Sequence, residues 1–135
     1  MKPKLFGDVT TPNILIVQED LVEKEAASSI SPLLNKAYCA EYQPGNTLNW
    51  IQQNQPDLII LKLKKSEANY LDLIISLRLD WLTRDIPILI IGNRFVLRST
   101  ANLDYDACLK TPYSMEELER AICSLIRTPA CQAFA

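Results

Sequence analysis

Short apolar runs recur along the chain, and most are followed by a stretch in which apolar residues return every three or four positions. The runs are Asn13 to Val17, Tyr38 to Tyr42, Asp57 to Lys62, Ile86 to Ile91 and Ala107 to Lys110. The continuous ones predict strands covered on both faces. After the first run, Asp20 can cap a helix carrying Leu21, Val22, Ala26, Ile30, Leu33 and Leu34, interrupted by Pro32. The turn Pro44-Gly45-Asn46-Thr47 leads into a short helix ending near Asn54, with Leu48, Trp50 and Ile51 inward. A further helix starts at Ser66, with Leu71, Ile74, Ile75, Leu77 and Leu79 as its expected buried stripe and Trp81 near its end. Arg94 to Leu103 is weakly patterned and has room for one or two helical turns. Ser114-Met115-Glu116-Glu117 reads as a capping box, because the serine and the second glutamate can each satisfy a free backbone amide. Leu118, Ala121, Ile122, Leu125 and Ile126 then face inward until Thr128-Pro129 ends the helix.

Alternation of strand and helix implies parallel strands joined by right-handed crossovers. The expected class is α/β, a flavodoxin-like doubly wound sheet of five parallel strands in the order 2-1-3-4-5 with helices on both faces. Residues 13–127 form the expected domain, with a flexible arm at 1–12 and a tail at 128–135. In such sheets the functional loops lie at the carboxyl ends of the strands, where Gln18, Glu19, Lys62, Gly92 and Lys110 should converge.

Composition narrows the chemistry. With 48% apolar residues, 22% charged and a formal charge of -2, nothing pulls the chain toward nucleic acid or anionic lipid. The apolar runs are too short to span a bilayer, and a cytoplasmic location is expected. The absence of histidine removes the usual general base and imidazole metal ligands. Three scattered glycines cannot build a phosphate-cradling loop. Cys39, Cys108, Cys123 and Cys131 show no metal-ligand spacing and read as reduced thiols, three of them in the core, with Cys131 in the tail as the one able to react. No enzyme activity, cofactor or metal is expected.

Four segments resemble response-regulator receiver domains: Ile14-Leu15-Ile16-Val17 before an acidic cluster, Pro56-Asp57-Leu58-Ile59-Ile60-Leu61, Ile86-Pro87-Ile88, and Pro112-Tyr113-Ser114-Met115-Glu116-Glu117-Leu118. The resemblance covers about Asn13 to Ile126 and implies the receiver fold, yet its functional positions have changed. The metal-binding acidic pair falls on Gln18 and Glu19, with Asp20 one place late, and the phosphoacceptor falls on Lys62. The phosphate-sensing hydroxyl falls on Gly92, the switch aromatic on Cys108, and the phosphate-pairing lysine on Thr111, with Lys110 beside it. An ammonium cannot accept a phosphoryl group as an acyl phosphate, and its charge opposes Mg²⁺.

What the resemblance implies is a degenerate pseudo-receiver that signals by binding a partner, in signal transduction or transcriptional regulation, independently of phosphorylation. A Lys62–Glu19 ion pair is expected in place of the metal. Lys62, Lys64, Lys65, Arg94 and Arg98 would form a basic rim. The partner face, at the predicted fourth helix, fifth strand and fifth helix, would use Arg94, Arg98, Tyr105, Tyr113, Glu116, Arg120 and Arg127, and the same face offers a homodimer contact. The alternatives are a small-ligand sensor with a cleft beside Tyr70, Tyr105 and Tyr113, or, least favoured, a phosphorylatable response regulator.

Overall fold

The computed structural model describes residues 12–18, 32–34, 36–43, 45–64 and 68–126. The predicted arm, the first helix except its end, and the tail lie outside them. The strands are β1 (Ile14–Gln18), β2 (Tyr38–Glu41), β3 (Leu58–Lys62), β4 (Ile88–Gly92) and β5 (Ala107–Lys110). The described helices are α1 (Asn46–Asn54), α2 (Ala68–Leu79), α3 (Arg94–Ser99) and α4 (Met115–Leu125), and Pro32–Leu34 forms a 3-10 turn. All pairings are parallel, in the order β2-β1-β3-β4-β5. The expected sheet is therefore present.

Alternate strand residues feed two apolar layers, as side chains of period two must. Leu15, Val17, Ile59, Leu61, Ile88 and Ile90 pack beneath Ile51 of α1, Leu73, Ile74 and Leu77 of α2, and Val96 of α3. Ile14, Ile16, Leu58, Ile60, Leu89 and Ile91 face Leu33 and Leu34 of the 3-10 turn and Leu118 and Ile122 of α4. Each fully buried aliphatic side chain contributes about 1.5–3 kcal/mol relative to exposure; β1 and β4 are buried from end to end, and β3 is buried up to Lys62.

Boundaries differ from expectation by small, explicable amounts. β4 begins at Ile88 because the Ile86 amide donates to Thr83 O in the preceding turn (3.1 Å) and Pro87 has no amide to give. The weakly patterned segment contains α3, whose first turn is capped by Asn93 Oδ1 accepting from the Val96 amide at 2.9 Å. α4 has the capping box read from sequence: Ser114 N donates to Glu117 Oε1 and Glu117 N to Ser114 Oγ, both at 3.0 Å. It ends at Leu125, with Ile126 already extended.

Two expectations are corrected. In α2 the inward residues are Tyr70, Leu73, Ile74 and Leu77, while Leu71, Ile75 and Leu79 face solvent. The helix is apolar around most of its circumference, so periodicity alone gave no inward direction. Of the cysteines, Cys39 and Cys108 are not disulfide-bonded, but Cys108 is exposed and Cys123 is disulfide-bonded, so the reading of reduced core thiols does not hold for either Cys108 or Cys123.

Candidate functional site

At the carboxyl edge of the sheet, Gln18 ends β1 and Lys62 ends β3, and the two are register partners on adjacent parallel strands. Their side chains lie on the same face, the one lined by Ile14, Ile16, Leu58 and Ile60. Gln18 is only 5% exposed, and its amide Nε2 is buried without a hydrogen-bond partner among the described residues. Lys62 is half-buried and makes no ion pair among the described residues. Glu19 and Asp20, and with them the expected Lys62–Glu19 pair, lie outside the described residues.

Gly92 closes β4 with little space around it. A Cβ there would meet Val96 Cγ1 at 2.8 Å, Val96 Cβ at 3.0 Å and Leu63 O at 3.2 Å. Asn93 caps α3 on the Val96 amide and so holds Val96 over the glycine. The volume that a hydroxyl side chain would need is occupied by an apolar one.

Lys110 registers with Gly92, whereas Lys62 registers with Ile91. Lys110 therefore projects on the opposite side of the sheet from Lys62, and both Lys110 and Thr111 are exposed. The Thr111 amide donates to Gly92 O at 3.0 Å, and the Thr111–Pro112 peptide is cis. The donor set that the strand ends do bring together, a carboxamide and an ammonium, does not suit a divalent cation, which takes carboxylate and carbonyl oxygens. Among the described residues no cluster of three or more cysteine, aspartate or glutamate side chains could hold a metal.

The rest of the predicted surface is dispersed. Arg94 and Arg98 are exposed on α3 and Lys64 is exposed after β3, while Lys65 and Arg127 lie outside the described residues. Arg120 Nη2 meets Glu116 Oε1 at 2.6 Å on the exposed side of α4, an i,i+4 pair worth about 0.3–0.5 kcal/mol. The expected tyrosine cleft is absent: Tyr70 and Tyr105 belong to one apolar layer and Tyr113 to the other, across the sheet. Tyr70 is buried against Tyr42, ring centroids 5.0 Å apart. Burial raises the Tyr113 phenol above its ordinary pKa, and raises Tyr105 too, with the Cys108 thiol adding to the shift.

Two clefts of about 310 Å³ each open instead beside the edge strand β2, one against Glu41, Asn46 and Thr47, the other against Asn13, Lys36 and Asn54. Tyr38 and Trp50 line both clefts and stack within 7° of parallel at 5.0 Å. Trp50, placed toward the core from sequence, does pack partly buried against the layer of Leu15, Val17 and Ile51, and its stack on Tyr38 had no signal in the sequence.

No protein-family model matches the chain, and no curated protein matches it by sequence. Solved structures do match in fold. The receiver domain of a sensor histidine kinase from Pseudomonas aeruginosa, determined with magnesium in its active-site cleft, superposes with a TM-score of 0.66 at 16% identity, over 85% of this chain and 97% of that one. A putative response regulator from Chloroflexus aurantiacus gives 0.65 at 20% identity, over 85% and 97%. The signal receiver domain of a histidine kinase from Syntrophus aciditrophicus gives 0.67 at 18%, over 85% and 89%. At these identities the likeness is one of fold: the chain has the fold of receiver domains.

Proposed function

We propose that the chain is a pseudo-receiver: a module with the receiver fold that carries no phosphoryl chemistry and acts in signal transduction or transcriptional regulation by binding another protein. The observation that carries this reading is the register pairing of Gln18 with Lys62. Receiver chemistry needs carboxylates around a divalent ion, and the Pseudomonas receiver coordinates magnesium in its active-site cleft. Here the paired strand ends offer an amide and an ammonium, and neither can form an acyl phosphate. The closure of Gly92 by Val96 agrees, since it leaves no space for a side chain that would sense a phosphoryl group. With neither paired strand end able to take a phosphoryl group, the module is read as a non-enzymatic, cytoplasmic binding protein without direct contact to nucleic acid.

The test is direct. The full chain is incubated with Mg²⁺ and a small acyl phosphate donor and weighed intact. The expected result is an unchanged mass; a gain of one phosphoryl group would sink the proposal. A second reading, a small-ligand sensor, draws on the paired clefts at Tyr38 and Trp50. A ligand-induced rise in melting temperature that Trp50→Ala abolishes would favour it.

A further inference from the structure

Where α1 meets the edge strand β2, the chain combines aromatic and carboxamide side chains that the altered phosphoryl site does not account for. Asn46, Trp50 and Asn54 stand at i, i+4 and i+8 on α1, so a carboxamide lies one helical turn to either side of the indole. Asn46 lines the first of the two clefts, with Leu15, Gln43 and Thr47, and Asn54 lines the second, with Lys36. Tyr38 reaches Trp50 from β2 and stacks on it, ring centroids 5.0 Å apart and 7° from parallel. That stack covers one face of the phenol ring, and Tyr38 is still 51% exposed, so aromatic surface remains on which a third ring can lie.

The polar wall of the first cleft is set by its own hydrogen bonds. Asn46 Nδ2 donates to Gln43 Oε1 at 3.1 Å, and the Gln43 backbone amide donates to Thr47 Oγ1 at 2.9 Å. This leaves Asn46 Oδ1 as an acceptor and Gln43 Nε2 as a donor, neither with a hydrogen-bond partner among the described residues. A donor beside an acceptor matches the edge of a ring amide or amidine, as carboxamides match adenine in a DNA groove. In the second cleft Asn54 Nδ2 is already given to Trp50 O at 2.9 Å. Charge and size narrow the ligand further. Glu41 is the one charged residue lining the first cleft among the described residues, and alternation along β2 sends its side chain to the sheet face opposite Tyr38. An anionic group would find no cation there. A volume of about 310 Å³ holds a ring system and little more, at the small end of ligand pockets. We infer that the cleft between β2 and α1 binds an uncharged nitrogen heterocycle of the nucleobase kind, stacked on Tyr38 and held along one edge by Asn46 and Gln43. This site rests on the small-ligand reading of the same clefts and gives it a ligand class.

Adenosine and uridine, titrated into the full chain carrying Trp81→Phe, test it through the fluorescence of Trp50, which is then the sole tryptophan. At least one nucleoside is expected to quench the emission saturably, with a dissociation constant at or below about 1 mM. Tyr38→Ala should weaken that binding by about tenfold, and Asn46→Leu by about fivefold or more. Circular dichroism should stay unchanged in both, because the two side chains are exposed. The same nucleoside bearing a 5′-phosphate should bind more weakly. No saturable response to either nucleoside overturns the inference, as does a response indifferent to Tyr38→Ala. Tighter binding of the 5′-phosphate overturns it too, since it puts the ligand in the cleft of Lys36. If the nucleosides fail while an aliphatic ligand raises the melting temperature through Trp50, the small-ligand reading stands and this ligand class falls.

Discussion

Arg78 Nη2 donates to Asp106 Oδ2 at 2.7 Å, tying the last turn of α2 to the residue that precedes β5. The same carboxylate oxygen accepts the Ile88 amide at 2.7 Å, at the start of β4. The guanidinium spends three further donors on carbonyls, Asp104 O at 3.0 Å, Arg84 O at 2.8 Å and Ile86 O at 2.9 Å. One side chain thereby satisfies the loop between α2 and β4 and the loop before β5. Only an arginine has a planar fork with five donors to do so.

Arg78→Met is expected to destabilise the fold by about 2–3 kcal/mol, since it keeps much of the apolar stem and strands three carbonyls and a carboxylate. The side chain of Arg78 is 15% exposed and that of Asp106 41%, which holds the cost below that of a fully buried pair. Urea unfolding measures it. Combined with Asp106→Asn, the double variant should lose less than the sum of the single losses, because the two side chains share one network.

Gly92→Thr should cost about 1–3 kcal/mol through overpacking, as its Cβ would press on Val96 and on the Leu63 carbonyl. Adding Val96→Ala should recover part of that loss. If instead the threonine variant melts at the wild-type temperature, Val96 does not fill the site as described.

Lys62→Met should change stability by less than about 1 kcal/mol, as expected for a half-buried lysine with no ion pair among the described residues. Millimolar Mg²⁺ should leave the melting temperatures of both proteins unchanged. A large loss of stability in the variant would reveal a buried partner for the ammonium.

Alkaline pH should weaken the fold through its phenols. Burial raises the Tyr113 pKa above its ordinary value of 10.0, so the folded chain holds this proton after the unfolded chain has released it. The stabilisation is complete below about pH 10 and is lost as pH rises through the folded pKa. Urea midpoints at pH 9 and pH 11 should fall further apart for wild type than for Tyr113→Phe.

Legibility in the sequence followed the strength of the local signal. β5 and the capping box of α4 could be read to the residue, because a cap is fixed by two side chains three positions apart and needs no tertiary information. The sheet order followed from alternation and the resemblance together, and Gln18 and Lys62 came to adjacent strand ends as expected. What could not be read was direction. In α2, Leu71 and Leu73 are the same residue type in the same helix, and only the tertiary fold makes one exposed and the other buried. Two residues at different heights in the sequence pattern, Tyr70 and Tyr113, likewise looked like partners until the sheet came between them. The disulfide at Cys123 had no spacing motif to announce it.

The chain contains two tryptophans. Trp50 stacks on Tyr38, while Trp81 stands in water on the outward end of α2. The protein thus carries two intrinsic fluorophores in unlike surroundings. Emission from the solvated indole should lie to the red of that from the stacked one. Anything that shields the α2 face will move the red component toward the blue while leaving the other in place, so the occupancy of that surface can be followed optically without a label.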